Sequence, residues 1–218
     1  VVTVSGRVVR AERGDATREL ILATAERLFA EHGVFAVSNR QVSEAAGQGN
    51  NAAVGYHFGT KADLVRAIAR RHSESIERRR LDMVNGIGGS PQVRDWAACL
   101  VRPVTEHLAA LGSPTWYARF GAQVMTDPAL REIMVQESRS APSLRQIRQG
   151  LDRCLPELPP EVHAERRDMA RQLMVHMCAE RERALAQGTS TPRSSWHDAA
   201  TGLIDALVGL WLAPVTRP

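Results

Sequence analysis

Lysine is nearly absent from this 218-residue chain: Lys61 is the only one, so every other basic side chain that stays charged is an arginine. Aromatic residues are sparse at 5%, and the three cysteines, Cys99, Cys154 and Cys178, lie far apart with no CxxC spacing. That spacing excludes a disulfide framework, and an odd, sparse set of thiols fits a reducing compartment. No apolar run approaches about 18 residues, which excludes a helical membrane span. The nearest, Leu203 to Val215, is short and carries Asp205. The opening VVTVSGRVVRAERG has neither a long apolar run nor a cleavage-site pattern, so no signal peptide is read and a cytoplasmic protein is expected. Strand-period alternation, internal repeats and low-complexity blocks are also missing. So are HExxH, GxSxG, a P-loop and any paired-carboxylate arrangement, so no enzyme and no cofactor are expected. His176 and Cys178 sit two apart on a helix and point to different faces, which argues against a metal site.

What remains is 44% hydrophobic and 24% charged, the balance of a globular protein with room for a sizeable core. The net charge of +4 is weak, so any nucleic-acid reading rests on where charge sits. The apolar periodicity is helical throughout and predicts an all-α fold of about nine helices. Residues 1–14 read as a flexible basic arm with Arg7, Arg10 and Arg13, either a solvated tail or an arm lying along the minor groove or the phosphates. Asp15 offers an N-cap, Ile21, Leu22, Ala25, Leu28 and Phe29 form a buried face, and Gly33 ends that helix. Ser38 to Gln41 fits a capping box opening a second helix, with Val42, Ala45 and Ala46 inward. Gly47 and Gly49 bracket a turn, and a third helix is expected from Asn50 to Tyr56.

A longer helix opens at Lys61, and Asn85 to Ser90 reads as a loop. Arg78, Arg79 and Arg80, with Arg70 and Arg71, read as a solvated helix face. Ser90-Pro91, Ser113-Pro114 and Asp127-Pro128 each place an N-cap residue before a proline and predict three further helices. Pro142 should kink or split the last. After a break at Pro156 to Pro160, two final helices are expected over 161–187 and 195–213.

Two short helices around a Gly-flanked turn fit a helix-turn-helix, whose second helix enters the DNA major groove. Ser38 and Arg40 would grip the backbone flank, Tyr56 would donate to a phosphate, and Lys61 would add a charge at a helix N-terminus. Base reading would fall to Gln48, Asn50, Asn51 and Ala52, since amides pair with adenine and alanine meets a thymine methyl. Asn50 serves equally as the third helix's N-cap. His57 reads as packing between helices. Gly47-Gln-Gly49-Asn-Asn-Ala52 also fits G-x-G-x-x-A, but no strand precedes it, so a dinucleotide site is not supported.

These residues resemble the tetracycline-repressor (TetR) family of one-component transcriptional regulators. The likeness is carried over residues 15 to 65 by Arg18, Leu28, Phe29 and Gly33, by Ser38, Arg40, Val42, Ala46 and Gly47, and by Val54, Tyr56, His57, Phe58, Lys61 and Leu64. Two positions depart from it. The turn through Gln48 to Asn51 is one residue longer, and Gly55 stands where many members carry a phosphate-contacting aromatic. Tyr56 either takes over that contact or faces the core.

The resemblance implies a DNA-binding unit over 15–60 and a sensing and dimerising domain over 61–218. It implies a homodimer on a pseudo-palindromic operator, released by a small hydrophobic or amphipathic effector, with an architectural or co-ligand-requiring DNA binder as the alternative. Trp96, Trp116, Tyr117, Phe120, Met134, Met174, Met177 and Cys178 are the candidate pocket residues. The last helix is apolar on more than one side, so Ala199, Ala200, Leu203, Leu207, Leu210 and Trp211 are the candidate dimer interface, with Gly202, Ala206 and Gly209 allowing close approach.

Overall fold

The computed structural model describes residues 3–215, with side chains from residue 14 onward except that of Arg139. Among these there are ten helices and no strand: α1 (Thr3–His32), α2 (Asn39–Ala45), α3 (Ala53–Phe58), α4 (Lys61–Ile87), α5 (Val93–Leu111), α6 (Tyr117–Thr126), α7 (Pro128–Ser140), α8 (Pro142–Cys154), α9 (Pro160–Ala186) and α10 (Trp196–Leu212). The tenth arises where Pro142 separates α7 from α8. A proline cannot continue its predecessor's hydrogen-bond ladder, but it suits a first helical turn.

Several boundaries move from their expected places. Residues 3–14, read as an arm, have helical backbone continuous with α1, and Asp15 lies inside that helix rather than capping it. The side chains of Arg7, Arg10 and Arg13 fall outside the described ones. α4 runs through Asn85 and ends at Gly88, whose left-handed φ of 54° suits glycine. Ser90 does not cap α5; its hydroxyl bonds Asp95 and accepts from the Gln92 N–H. α6 starts three residues after Pro114, behind Trp116. Asp127 and Ser195 do cap α7 and α10 through their side chains.

Two apolar clusters organise the chain. The first joins Ile21, Leu22, Ala25 and Phe29 of α1 to Val42, Val54, Leu64, Val65 and Ile68. It is completed by Phe120 and Val124 of α6 and by Leu130 and Ile133 of α7. Phe29 and Phe120 stack with ring centroids 6.4 Å apart. The second cluster fills the bundle of α4, α5, α8, α9 and α10. No helix of the described residues is long and apolar enough to cross a membrane.

Buried charges serve the backbone. α6 has no cap of its own, and Glu182 of α9, 1% exposed, accepts from the Ala118 and Arg119 N–H groups and pairs with the Arg119 side chain. Arg166 donates to the Trp211 and Ala213 carbonyls at the end of α10. A charge opposite in sign to a helix end is stabilised there.

α8 crosses α5 at Gly150, where a Cβ would lie 2.2 Å from the buried Trp96 ring. Trp96 is held by its indole N–H, which donates to the Ser90 carbonyl at 2.9 Å. Alanine at 150 gains helix propensity but overpacks this contact, so Gly150→Ala should lower stability by about 1–3 kcal/mol in chemical denaturation.

Candidate nucleic-acid interface

α2 opens on a complete capping box. The Gln41 N–H donates to the Ser38 hydroxyl oxygen, and the Ser38 N–H donates to the Gln41 side chain at 2.8 Å. Gly47 closes the helix with φ 65°. The angle between α2 and α3 is set by Ser43, fully buried, whose hydroxyl donates to the Asn39 carbonyl and accepts from the Val54 N–H. Ser43 was not singled out from the sequence; a serine inside an apolar-faced helix carries no local signal for a bond eleven residues away.

α3 begins at Ala53, three residues later than expected, because Asn50 builds a turn instead of capping. Its side-chain oxygen accepts from the Ala52 N–H at 2.9 Å, and its carbonyl from the Ala53 N–H. The helix buries Ala53 and Val54 and leaves Gly55 and Tyr56 exposed, as are Asn51 and Ala52 in the turn before it. Asn51 makes no hydrogen bond to any described residue. Gln48 is half-buried, with its amide donating to the Ala46 carbonyl. Tyr56 is 85% exposed, so it faces away from the core. His57 is half-buried between Tyr56 and Phe58, and Arg18 lies over the Phe58 ring.

Arg40 is exposed and forms an ion pair with Glu44 at 2.7 Å, one turn on. Lys61 is placed differently from a free phosphate ligand. Its ammonium donates to the Val34 and Val37 carbonyls at 3.0 and 2.6 Å, bracing the turn between α1 and α2. Desolvation lowers its pKa. The α4 N-terminus is capped by Thr60, whose hydroxyl accepts from the Asp63 N–H while the Asp63 carboxylate accepts from Thr60. The Thr60-Lys-Ala-Asp63 spacing carried that signal.

A polar thread joins this unit to the bundle. Glu26 of α1 meets His72 Nε2 of α4 at 2.9 Å, and His72 Nδ1 meets His107 Nε2 of α5 at 2.8 Å. Tyr117 of α6 stacks on His72 at 3.9 Å. Burial, with His72 and Arg79 nearby, brings the His107 pKa down to about 4, although Glu26 pulls the other way.

The candidate pocket residues do not converge. Phe120, Trp116 and Met134 pack in the first cluster, and Trp96, Met174 and Cys178 in the second. Tyr117 touches both clusters, and Met177 is 54% exposed. Four of the six candidate interface residues, Ala200, Leu203, Leu207 and Trp211, are buried in this chain's own core, where α10 packs on α5; Ala199 and Leu210 are half-buried. Helical rotation sends Ala206, Gly209 and Leu212 outward instead. Ala206 and Leu210 share an open apolar groove with Met169, Gln172 and Leu173 of α9.

Lys61→Ala should cost about 1–2 kcal/mol in urea unfolding, low in the range for hydrogen bonds to a charge because the side chain is half-exposed. His107 has a folded pKa near 4 against an ordinary value of 6.5. Between those values the unfolded chain binds a proton that the folded chain does not. Stability should therefore be intact above about pH 6.5 and fall as pH drops toward 4. His107→Gln should flatten that slope in pH-dependent urea titrations.

Comparison with known proteins bears on this architecture. Residues 98–209 match the family profile described as "Tetracyclin repressor-like, C-terminal domain", and residues 21–68 match "Bacterial regulatory proteins, tetR family". The HTH-type transcriptional repressor AcnR of Corynebacterium efficiens is 35% identical over 85 residues, 37% of this chain and 45% of AcnR. AcnR of Corynebacterium glutamicum matches to the same extent. The chain thus spans under half the length of these curated relatives. Among solved structures, NalD of Pseudomonas aeruginosa has a TM-score of 0.56 at 21% identity, covering 94% of this chain and 100% of that one. AmtR of Mycobacterium smegmatis has a TM-score of 0.54 at 22% identity, covering 88% and 86%. At these identities the likeness to solved structures is one of fold. The first profile alone takes in just over half of the sequence, and with the second it settles the family: the chain belongs to the TetR family of bacterial regulatory proteins.

Proposed function

We propose that this chain is a one-component transcriptional regulator, a repressor that binds a pseudo-palindromic operator as a homodimer and is released by a small-molecule effector. The observation that most supports the reading is the division of α3. Ala53 and Val54 anchor it, while Asn51 and Ala52 immediately before it and Tyr56 on its outer side are exposed. A recognition helix needs that division, since its N-terminal residues meet base edges. Asn51, with no protein partner among the described residues, is the base reader in this proposal. Tyr56 takes the phosphate contact that Gly55 cannot make.

Ser38, Arg40, Gln48, Asn50 and Ala52 remain in the proposed interface with duties revised by their partners. Ser38 holds the α2 N-terminus toward the backbone. Arg40 exchanges Glu44 for a phosphate. Gln48 and Asn50 hold the turn. Lys61, with two of its three ammonium protons on carbonyls, keeps one for a phosphate. The name of AcnR supports repression as the sign of control.

The second copy would seat on the outward face of α9 and α10, around Met169, Leu173, Ala206 and Leu210, where an apolar surface on two long helices lies open. Two recognition helices related by a two-fold axis would then meet half-sites about one DNA turn apart. Residues 15–60 would be the reading unit and 61–218 the sensing and dimerising one.

Selection of random duplex DNA by the purified protein should enrich an inverted repeat. On that site Tyr56→Phe should weaken binding to all sequences alike, and Asn51→Ala should change base preference at one position per half-site. Retention without enrichment that collapses in salt would leave the architectural alternative. Met169→Glu should shift sedimentation toward the monomer and weaken operator binding with it.

A further inference from the structure

Among the described residues three arginines are almost fully buried, and two of them have obvious work. Arg166 donates to two carbonyls at the end of α10, and Arg181 donates to Thr191 and to the Arg193 carbonyl. Arg80, 7% exposed, has no such duty. Of the five N–H donors of a guanidinium, one is used among the described residues: Nη1 donates to Glu77, on the same helix, at 3.3 Å. Nε is buried with no partner, as is that of Arg181, but Arg181 has two other bonds to neighbouring groups. Glu77 is itself engaged elsewhere, accepting from the Ser143 N–H at 2.9 Å and from the Ser143 hydroxyl. A buried cation left this short of acceptors is costly, and in a native fold it calls for an explanation. Arg80 was expected on a solvated face. It turns inward because it shares the stripe of α4 that buries His72, Ile76 and Val84.

The surroundings supply more donors. Val84, one turn beyond Arg80 on the same buried stripe of α4, clusters with Cys99, and Tyr117 packs against that cluster, which brings a hydroxyl and a thiol to the Arg80 side. Burial pushes those groups up to about 12 and about 11, so both keep their protons. The Tyr117 ring has contacts with His72 and His107, but its hydroxyl makes no hydrogen bond to a described residue. The walls are apolar, with Cys99, Val84 and Ile147 in the same cluster. The interior therefore offers a fixed positive charge, a phenol and a thiol to an acceptor that the chain does not itself provide.

We infer that the effector is an apolar carboxylic acid whose carboxylate seats between Arg80 and Tyr117, with its hydrocarbon part in the cluster around Cys99. This rests on the reading of the chain as an effector-controlled regulator and gives that effector a chemical class. Carboxylate is the acceptor that a guanidinium fork matches in two bonds. The guanidinium is almost fully buried in this structure, so the acid enters by displacing side chains around it, and Glu77 is the group it replaces on Arg80. The route to the reading head is short. Tyr117 stacks on His72, and His72 bonds Glu26 of α1.

The test is thermal unfolding of the full chain with benzoate, octanoate and decanoate, each against its neutral amide at matched ionic strength. A bound acid should raise Tm by about 5–10 °C at a hundredfold excess over its Kd, and the amides should not. Tyr117→Phe, which keeps the ring, should weaken the acid about fivefold to tenfold. The double variant Arg80→Met with Glu77→Gln should abolish the response. Without ligand it should melt no lower than the wild type, because an ion pair kept for a ligand is not kept for stability.

The inference is overturned if acids and amides shift Tm equally, if no acid shifts it, or if Tyr117→Phe responds as the wild type does. A double variant that melts well below the wild type makes Arg80–Glu77 a structural pair and also overturns it. DNA selection is read independently. A carboxylate response without operator enrichment would sink the regulator and leave the site, and enrichment without a response would do the reverse.

Discussion

The stacking of Phe29 on Phe120 is the contact through which the rest of this structure is arranged. It places α6, from the middle of the sequence, inside the core that the first four helices would otherwise leave open. Val124, Leu130 and Ile133 complete that core from α6 and α7. The reading unit is therefore not a bead on a string. Its hydrophobic interior is shared, and the boundary drawn near residue 60 from loops and motifs passes through a single packed cluster. Whatever moves α6 acts on the wall of the head directly.

Beside that apolar contact runs the thread of Glu26, His72, His107 and Tyr117, which crosses α1, α4, α5 and α6 with every member buried or half-buried. Polar groups inside a core fix geometry more sharply than apolar ones, because each has few partners that satisfy it. The same logic recurs at helix ends. Glu182 closes α6, Arg166 closes α10, and Lys61 holds the carbonyls between α1 and α2. In the first two cases a charge meets backbone groups that a helix end leaves unpaired, and in the third it meets the carbonyls of a turn.

The helical class, the capping box at Ser38, the Asp127-Pro128 start and the break at Pro142 were legible because each depends on neighbours within four residues. Legibility failed where a partner is distant in sequence. Nothing near Lys61 announces the carbonyls of Val34 and Val37, so its position at a helix start reads as a phosphate site. Arg80 sits in a run of three arginines that looks solvated, and only the register of α4 against α5 and α8 turns it inward. Hydrophobicity alone did not say which side of α10 faces α5, because both sides are apolar; four of the six residues assigned to a second subunit are buried in the first. The exposed stretch of α3 was found in outline, but Asn50 and Gln48 are turn-builders, which a list of amide side chains cannot distinguish from base readers.

The scarcity of lysine has a practical side once its single position is known. Amine-directed labels and cross-linkers meet one lysine in the chain, and its nitrogen is already held by two carbonyls beneath the reading head. Attachment there would remove both hydrogen bonds and loosen the turn between α1 and α2. A fluorophore or resin coupled through Lys61 would thus report on a protein altered at its working end, whereas the thiol of Cys154, half-exposed at the end of α8, lies in the other cluster.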